Sequence, residues 1–192
     1  MRYTRINLMI TTVCNLACPY CCCSCSVNKT GKHCSLDDIF GAGKLLGDLD
    51  ELHITGGEPT LHPSFTEISK KMRSFFKSKI FILNTNGLNI RDHIKDLYYY
   101  DWIQISYLDN IDLPELPNLR VTVEKKVHFP NDSTKSRQCG REGIAAWLDN
   151  RIFPCCVAPG ISNAASIEFR DDWRNELAKV KLPCRDCMFA LS

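Results

Sequence analysis

The chain has 192 residues, 44% of them apolar and 24% charged, with a net charge of +2. That length and apolar content suit one domain, or one domain with a small appendage, around a real core. Near-balanced charge argues against a general nucleic-acid or membrane-surface binder, since both need a concentrated basic surface.

The first residues, MRYTRINLMITT, hold neither the apolar core nor the small-residue cleavage site of a signal peptide. No apolar run reaches the 18 or so residues of a membrane span. A cytoplasmic protein is therefore expected, and this decides how to read twelve cysteines. In a reducing compartment, dense cysteine at short spacings means metal or redox chemistry rather than a disulfide framework.

In chain order, five runs rich in Ile, Leu and Val read as buried parallel strands: Ile6–Thr11, Leu52–Thr55, Ile80–Thr85, Trp102–Tyr107 and Leu119–Val123. Between the first two, Ser35 and Asp38 form a variant capping box ahead of Leu36, Ile39, Phe40 and Leu46. Gly41, Gly43 and Gly47 weaken that helix by about 1 kcal/mol each relative to Ala. A second helix is expected from about Ser64 to Phe76, with Pro63 at its start. Its Lys70, Lys71 and Arg73, with the nearby Lys77 and Lys79, read as a solvated face opposite Phe65, Ile68, Met72, Phe75 and Phe76. A third, short helix follows Arg91. Alternating strands and helices predict an α/β fold, a partial (β/α) barrel of about five strands, with ligands at the carboxyl ends of the strands. The ten residues from Asp109 to Asn118, holding Pro114 and Pro117, are short for a parallel crossover, so this connection is expected to lack a helix or lead to an irregular strand.

Beyond Val127 the pattern changes. Ile144–Leu148 and Arg151–Phe153 predict a hairpin turning on Asp149–Asn150, which would bring Cys155 opposite Ile144. An amphipathic helix, about Asp172 to Lys181, leads into Cys184 and Cys187. The expected division is residues 1–130 for the barrel and 131–192 for a smaller hairpin-plus-helix unit.

The cysteines form two groups, Cys14 to Cys34 and Cys139 to Cys187. In the first, Cys14, Cys18 and Cys21 follow the first strand in C-x3-C-x2-C spacing. Three thiolates so arranged can hold three irons of a [4Fe–4S] cluster and leave the fourth iron open. Cys22, Cys23, Cys25 or Cys34 could instead close the cluster, or Cys22 and Cys25 could form half of a zinc site. Gly56-Gly57-Glu58-Pro59 follows the second strand. Its glycines suit either a plain turn or a close backbone approach to a ligand.

The motif Cys14-Asn15-Leu16-Ala17-Cys18-Pro19-Tyr20-Cys21, with Gly56-Gly57-Glu58-Pro59 behind it, resembles the signature of the radical SAM (S-adenosylmethionine) superfamily over roughly Arg5 to Ser106. The resemblance implies that the open iron chelates the methionine part of SAM, and that one electron cleaves the sulfonium to a 5′-deoxyadenosyl radical that takes hydrogen from a substrate. It implies Gly56, Gly57 and Glu58 at the methionine amino group and Tyr20 beside the adenine. Asn84 or Asn86, and Ser106, are then candidates for the ribose or carboxylate.

The order of Cys139, a hairpin ending in Cys155-Cys156, a helix, then Cys184 and Cys187 resembles the Twitch or truncated SPASM extension of this superfamily. The nearest pattern is that of the 2-deoxy-scyllo-inosamine dehydrogenase type. The resemblance implies a second [4Fe–4S] cluster on Cys139, Cys155, Cys184 and Cys187. Cys155 is preferred to Cys156 because neighbouring strand residues face opposite ways. A structural zinc on the same thiolates is the alternative. There is no clear sixth strand, and no peptide-leader-binding segment is expected ahead of the first.

The expected protein is thus a radical SAM enzyme acting on a small molecule or a peptide, its auxiliary cluster handling the substrate electron and a flavodoxin or ferredoxin supplying the reducing one. Neither nucleic acid nor membrane is an expected partner. The alternatives are a ribosomal-peptide-modifying enzyme, a glycyl-radical activase, and a non-catalytic zinc or iron–sulfur scaffold. His53, His128 and Trp147 are candidate lining residues, and no catalytic acid or base is assigned.

Overall fold

The computed structural model describes residues 3–18, 21, 25, 31–107, 111–125, 143–155, 159 and 166–180. Their strands form one sheet. β1 (Arg5–Thr11), β2 (Asp48–Gly56), β3 (Lys77–Thr85), β4 (Trp102–Tyr107) and β5 (Val121–Lys125) run parallel, each beside the next. On the other side of β1 lies β6 (Ile144–Leu148), followed by the antiparallel β7 (Arg151–Phe153) and β8 (Ile167–Glu168). The order β5-β4-β3-β2-β1-β6-β7-β8 leaves the sheet unclosed, as a partial β/α barrel.

One face of this sheet is apolar because its strands alternate. Ile6, Leu8 and Ile10 of β1, Leu52 and Ile54 of β2, Phe81 and Leu83 of β3, and Ile103 and Ile105 of β4 all point into a single core. Helices α1 (Leu36–Leu46), α2 (Phe65–Phe75) and α4 (Trp173–Leu177) contribute Ile39, Leu46, Phe65, Ile68, Met72, Trp173 and Leu177 to it. Each large side chain buried there contributes about 1.5–3 kcal/mol. Residues of the opposite parity, among them Asn7, His53, Asn84, Gln104 and Ser106, lie on the other face and are only half-buried.

The capping box forms as read: Asp38 N–H donates to Ser35 Oγ at 3.1 Å, and that hydroxyl donates to Asp38 Oδ2 at 2.6 Å. On α2, Lys70, Lys71 and Arg73 are exposed and Phe65, Ile68 and Met72 buried, while Phe75, expected on the buried face, is 40% exposed at the helix end and Phe76 is buried just beyond it. The third helix is a single turn, α3 (Ile94–Leu97), entered from a 3-10 turn at Ile90–His93.

The structure corrects the sequence reading in four places. β2 and β3 begin at Asp48 and Lys77, earlier than their apolar runs, because their polar leading residues still pair, Asp48 with Lys77. β5 lies two residues later than expected, at Val121–Lys125, and no helix occurs among residues 111–120 leading to it. The last helix is shorter, Trp173–Leu177, with the residues from 181 outside the described set. A sixth parallel strand does exist. The first strand of the expected hairpin is β6, which pairs with β1 from Arg5↔Ile144 to Leu8↔Trp147. The hairpin itself turns where expected: Leu148 pairs with Arg151, and Asp149 and Asn150 both take positive φ.

Candidate active site

The carboxyl end of β1 runs into the cysteine loop, whose base is tied off by the returning chain. Thr12 N–H donates to Lys32 O at 2.8 Å, Cys34 N–H to Ile10 O at 2.9 Å, and Lys32 N–H to Thr12 Oγ1 at 2.8 Å. Cys14 and Cys21 are half-buried and Cys18 is buried. Burial pushes the Cys14 thiol upward; the Leu16 N–H donating to its sulfur opposes this, while the charges of Glu58, Cys25 and Cys18 add to it. The same neighbours show that Cys14, Cys18, Cys25 and Glu58 share one locality. Among the described residues, no three His, Cys, Asp or Glu side chains are drawn into a closed metal-binding set.

The Gly-Gly-Glu-Pro segment leaves β2 directly alongside this loop. Gly57 N–H donates to Thr11 O and Glu58 N–H to Val13 O, both at 2.8 Å. A Cβ on Gly56 would collide with the Thr11 carbonyl oxygen, and one on Gly57 with the Val13 carbonyl oxygen; Gly56 also has φ near +151°. The glycines are thus required by the chain's own backbone. That signal could not be read from the segment alone, since its partner lies more than forty residues away.

Glu58 is fully buried, at 0% exposure. Its Oε1 accepts from Thr60 N–H (3.2 Å), the Thr60 hydroxyl (2.7 Å) and the Thr85 hydroxyl (2.6 Å), and its Oε2 from Asn86 N–H (2.7 Å). The Asn86 side chain is also engaged: Nδ2 donates to Asn15 Oδ1 at 2.7 Å, and Oδ1 accepts from Leu88 N–H at 3.0 Å. Thr85 and Asn15 were not singled out from the sequence, yet they complete the joint between the strand ends.

Asn84 sits lower on β3. Its Nδ2 donates to His53 Nδ1 at 3.3 Å, and His53 Nε2 lies 3.1 Å from Glu51 Oε2. Asn84 Oδ1 is buried with no hydrogen-bond partner among the described residues. Ser106 pairs with Glu124 across β4 and β5. Of the other sequence candidates, Cys155 lies just beyond β7 and is half-buried, and Trp147 is fully buried in the core. Tyr20, Cys22, Cys23, His128, Cys139, Cys156, Cys184 and Cys187 lie outside the described residues.

The profile of the radical SAM superfamily matches residues 8–108, more than half of the chain. The chain belongs to the radical SAM superfamily. It is an enzyme of the radical SAM class, whose cofactors are a [4Fe–4S] cluster and SAM. Among its relatives, the GTP 3′,8-cyclase of Helicobacter pylori (strain ATCC 700392 / 26695) is 29% identical over 120 residues, 60% of this chain and 36% of that protein. The GTP 3′,8-cyclase of Vibrio vulnificus (strain YJ016) is 30% identical over 133 residues, 66% of this chain and 39% of that one. The chain thus spans little more than a third of these relatives' length. The fold is also that of BtrN, solved in complex with AdoMet and 2-DOIA: TM-score 0.71 at 13% identity, covering 93% of this chain and 84% of BtrN.

The donor set suits such a cluster. Three thiols sit on one loop at a strand end, and no Asp or Glu falls between Val13 and Cys34 to favour a hard cation. No helix among the described residues is long and apolar enough to cross a membrane.

Proposed function

We propose that this radical SAM enzyme holds its [4Fe–4S] cluster on Cys14, Cys18 and Cys21 and abstracts hydrogen from a small-molecule or peptide substrate, with a second [4Fe–4S] cluster handling the substrate electron. The observation that carries the reading is the pair of 2.8 Å hydrogen bonds joining the Gly57–Glu58 backbone to Thr11 and Val13. They fix the Gly-Gly-Glu-Pro turn against the strand end that presents Cys14. Held there by Cys14, Cys18 and Cys21, the cluster with SAM would supply one-electron reductive chemistry for hydrogen abstraction. The protein's part is to bind, to orient and to exclude water. Gly56 and Gly57 offer main chain toward the methionine end, Tyr20 the adenine side, and Asn84 and Ser106 polar groups farther along the sheet edge.

The second cluster takes Cys139, Cys155, Cys184 and Cys187, and residues 131–192 form its subdomain beside a barrel of residues 1–130. Support comes from strand register. Ala146 pairs with Phe153, so two residues further on Cys155 comes level with Ile144, the partner of Arg5. Burial pushes the Tyr3 hydroxyl up, and the nearby Cys155 adds to the shift, which puts that thiol close to the amino-terminal end of β1. Cys14 and Cys155 therefore mark opposite ends of β1, about 20 Å apart at strand rise. A flavodoxin or ferredoxin is the proposed electron donor.

The test is anaerobic reconstitution followed by reduction with SAM. About eight irons and eight sulfides per chain are expected, about half of them after joint replacement of Cys14, Cys18 and Cys21. The loaded protein should release 5′-deoxyadenosine and methionine, slowly without substrate. Replacing Cys184 and Cys187 should spare this uncoupled cleavage while stopping substrate turnover. Stoichiometric zinc after oxygen-free purification would sink the second cluster. An intact, reducible N-terminal cluster that yields no 5′-deoxyadenosine would sink the reaction.

A further inference from the structure

We infer that Glu58 is a positioning residue: its carboxylate sets the placement of the cysteine loop through Asn86 and Asn15 and does not itself touch the cofactor. This rests on the proposed placement of the cluster at Cys14. Four donors from three residues reach the carboxylate at 2.6–3.2 Å, three on Oε1 and one on Oε2. With 0% exposure and no ion pair among the described residues, the carboxylate is turned inward onto the chain's own donors and away from any ligand amine. Neutral donors satisfy it, which is what a buried carboxylate without a counter-ion requires.

The bonds form a closed circuit around Cys14. Val13 O accepts from Glu58 N–H, Glu58 Oε2 accepts from Asn86 N–H, and Asn86 Nδ2 donates to Asn15 Oδ1. Val13 and Asn15 flank Cys14 in the chain, so both sides of that cysteine are tied to Glu58, Val13 by the Glu58 main-chain N–H and Asn15 through Asn86 to the carboxylate. The Thr85 hydroxyl reinforces the far side, accepting from Gly87 N–H at 3.0 Å while it donates to Glu58. Three loops, after β1, β2 and β3, are thereby fixed in mutual register at the strand ends. A thiolate's direction toward iron is set by such outer hydrogen bonds, whose loss typically costs about 10- to 100-fold in affinity or activity.

Three single variants test the circuit: Glu58→Gln, which turns an amide N–H₂ toward Asn86 N–H; Asn86→Ala; and Asn15→Ala, at an exposed position. Each is reconstituted anaerobically, its iron and melting temperature measured, and its reduced cluster examined by electron paramagnetic resonance with and without SAM. The expected result is near-wild-type iron in all three. SAM affinity should fall about 10-fold or more, with a smaller SAM-induced change in the spectrum in each. Combining Glu58→Gln with Asn86→Ala should weaken binding no further than the stronger single variant. If Glu58→Gln alone loses SAM while Asn86→Ala and Asn15→Ala match wild type, the carboxylate touches the cofactor and the inference is overturned. Wild-type affinity and spectra in all three overturn it as well. Should Glu58→Gln fail to fold, Asn15→Ala decides by the same readouts. Wild-type protein that takes up no iron would defeat the cysteine-loop assignment itself, and this inference with it.

Discussion

Gly57 lies against Val13 with no room for a side chain: its N–H bonds to Thr11 O at 2.8 Å, and a Cβ on it would overlap the Val13 carbonyl oxygen. The two loops meet backbone to backbone, and neither can move without the other.

Gly57→Ala should therefore displace the cysteine loop and not merely crowd a ligand. Overpacking of this kind costs about 1–3 kcal/mol. The expected outcome is a lower melting temperature together with reduced iron retention, read by thermal denaturation and iron analysis of the same samples. A variant that keeps wild-type iron and stability and loses only SAM affinity would show that Val13 yields easily.

Cys22→Ala, Cys23→Ala and Cys25→Ala should each leave SAM cleavage largely intact, because a fourth thiolate would close the coordination site the reaction needs. Cys25 is the most searching of the three, since it is buried and its charge is felt at Cys14. Assay of 5′-deoxyadenosine against Cys18→Ala, expected to be inactive, decides. Loss in Cys25→Ala as complete as in Cys18→Ala would identify Cys25 as a ligand.

Trp147→Ala should cost about 3–5 kcal/mol, the usual penalty for emptying a large core site. Trp147 is fully buried and sits on β6, whose Leu8↔Trp147 pairing joins the hairpin to the first strand. Chemical denaturation monitored by near-ultraviolet circular dichroism measures it. A loss under about 1 kcal/mol would mean that the hairpin contributes little to the sheet's stability.

Cys34 gives the protein a pH-dependent stability at the alkaline end. Burial lifts its thiol to about 11, opposed by the Asp149 N–H and aided by the charges of Asp149 and Asp38; the thiol also donates to Met9 O. A raised folded-state value means that the folded chain keeps its proton between about pH 9 and 11, where the unfolded chain loses it. The stabilisation is complete below about pH 9 and is lost as pH rises toward 11, by about 2–3 kcal/mol at most. Urea denaturation of wild type and Cys34→Ala at pH 8 and at pH 10.5 should give a difference in stability that shrinks or reverses at the higher pH. A difference independent of pH would show that the thiol titrates normally.

The cysteine spacing, the Gly-Gly-Glu-Pro turn, the capping box at Ser35 and the Asp149–Asn150 hairpin are local, and so the sequence by itself determined them. Each depends on residues within a few positions of one another, as does the alternation that marks the strands. What only the tertiary structure decided involves partners far apart in the chain. Ile144–Leu148 reads as a hairpin strand from its neighbours, but its place beside β1 depends on pairing across more than a hundred residues. Gly56 and Gly57 look like room for a ligand until the Thr11–Val13 backbone is found in that room. Glu58 looks like a ligand contact, yet beside the two donors of neighbouring Thr60 it is bonded by Thr85 and Asn86, and only the meeting of β2 and β3 at one sheet edge brings these last two to it. Long-range hydrogen bonds leave no periodicity in the sequence, because folding selects the partners by position in space and not by spacing along the chain.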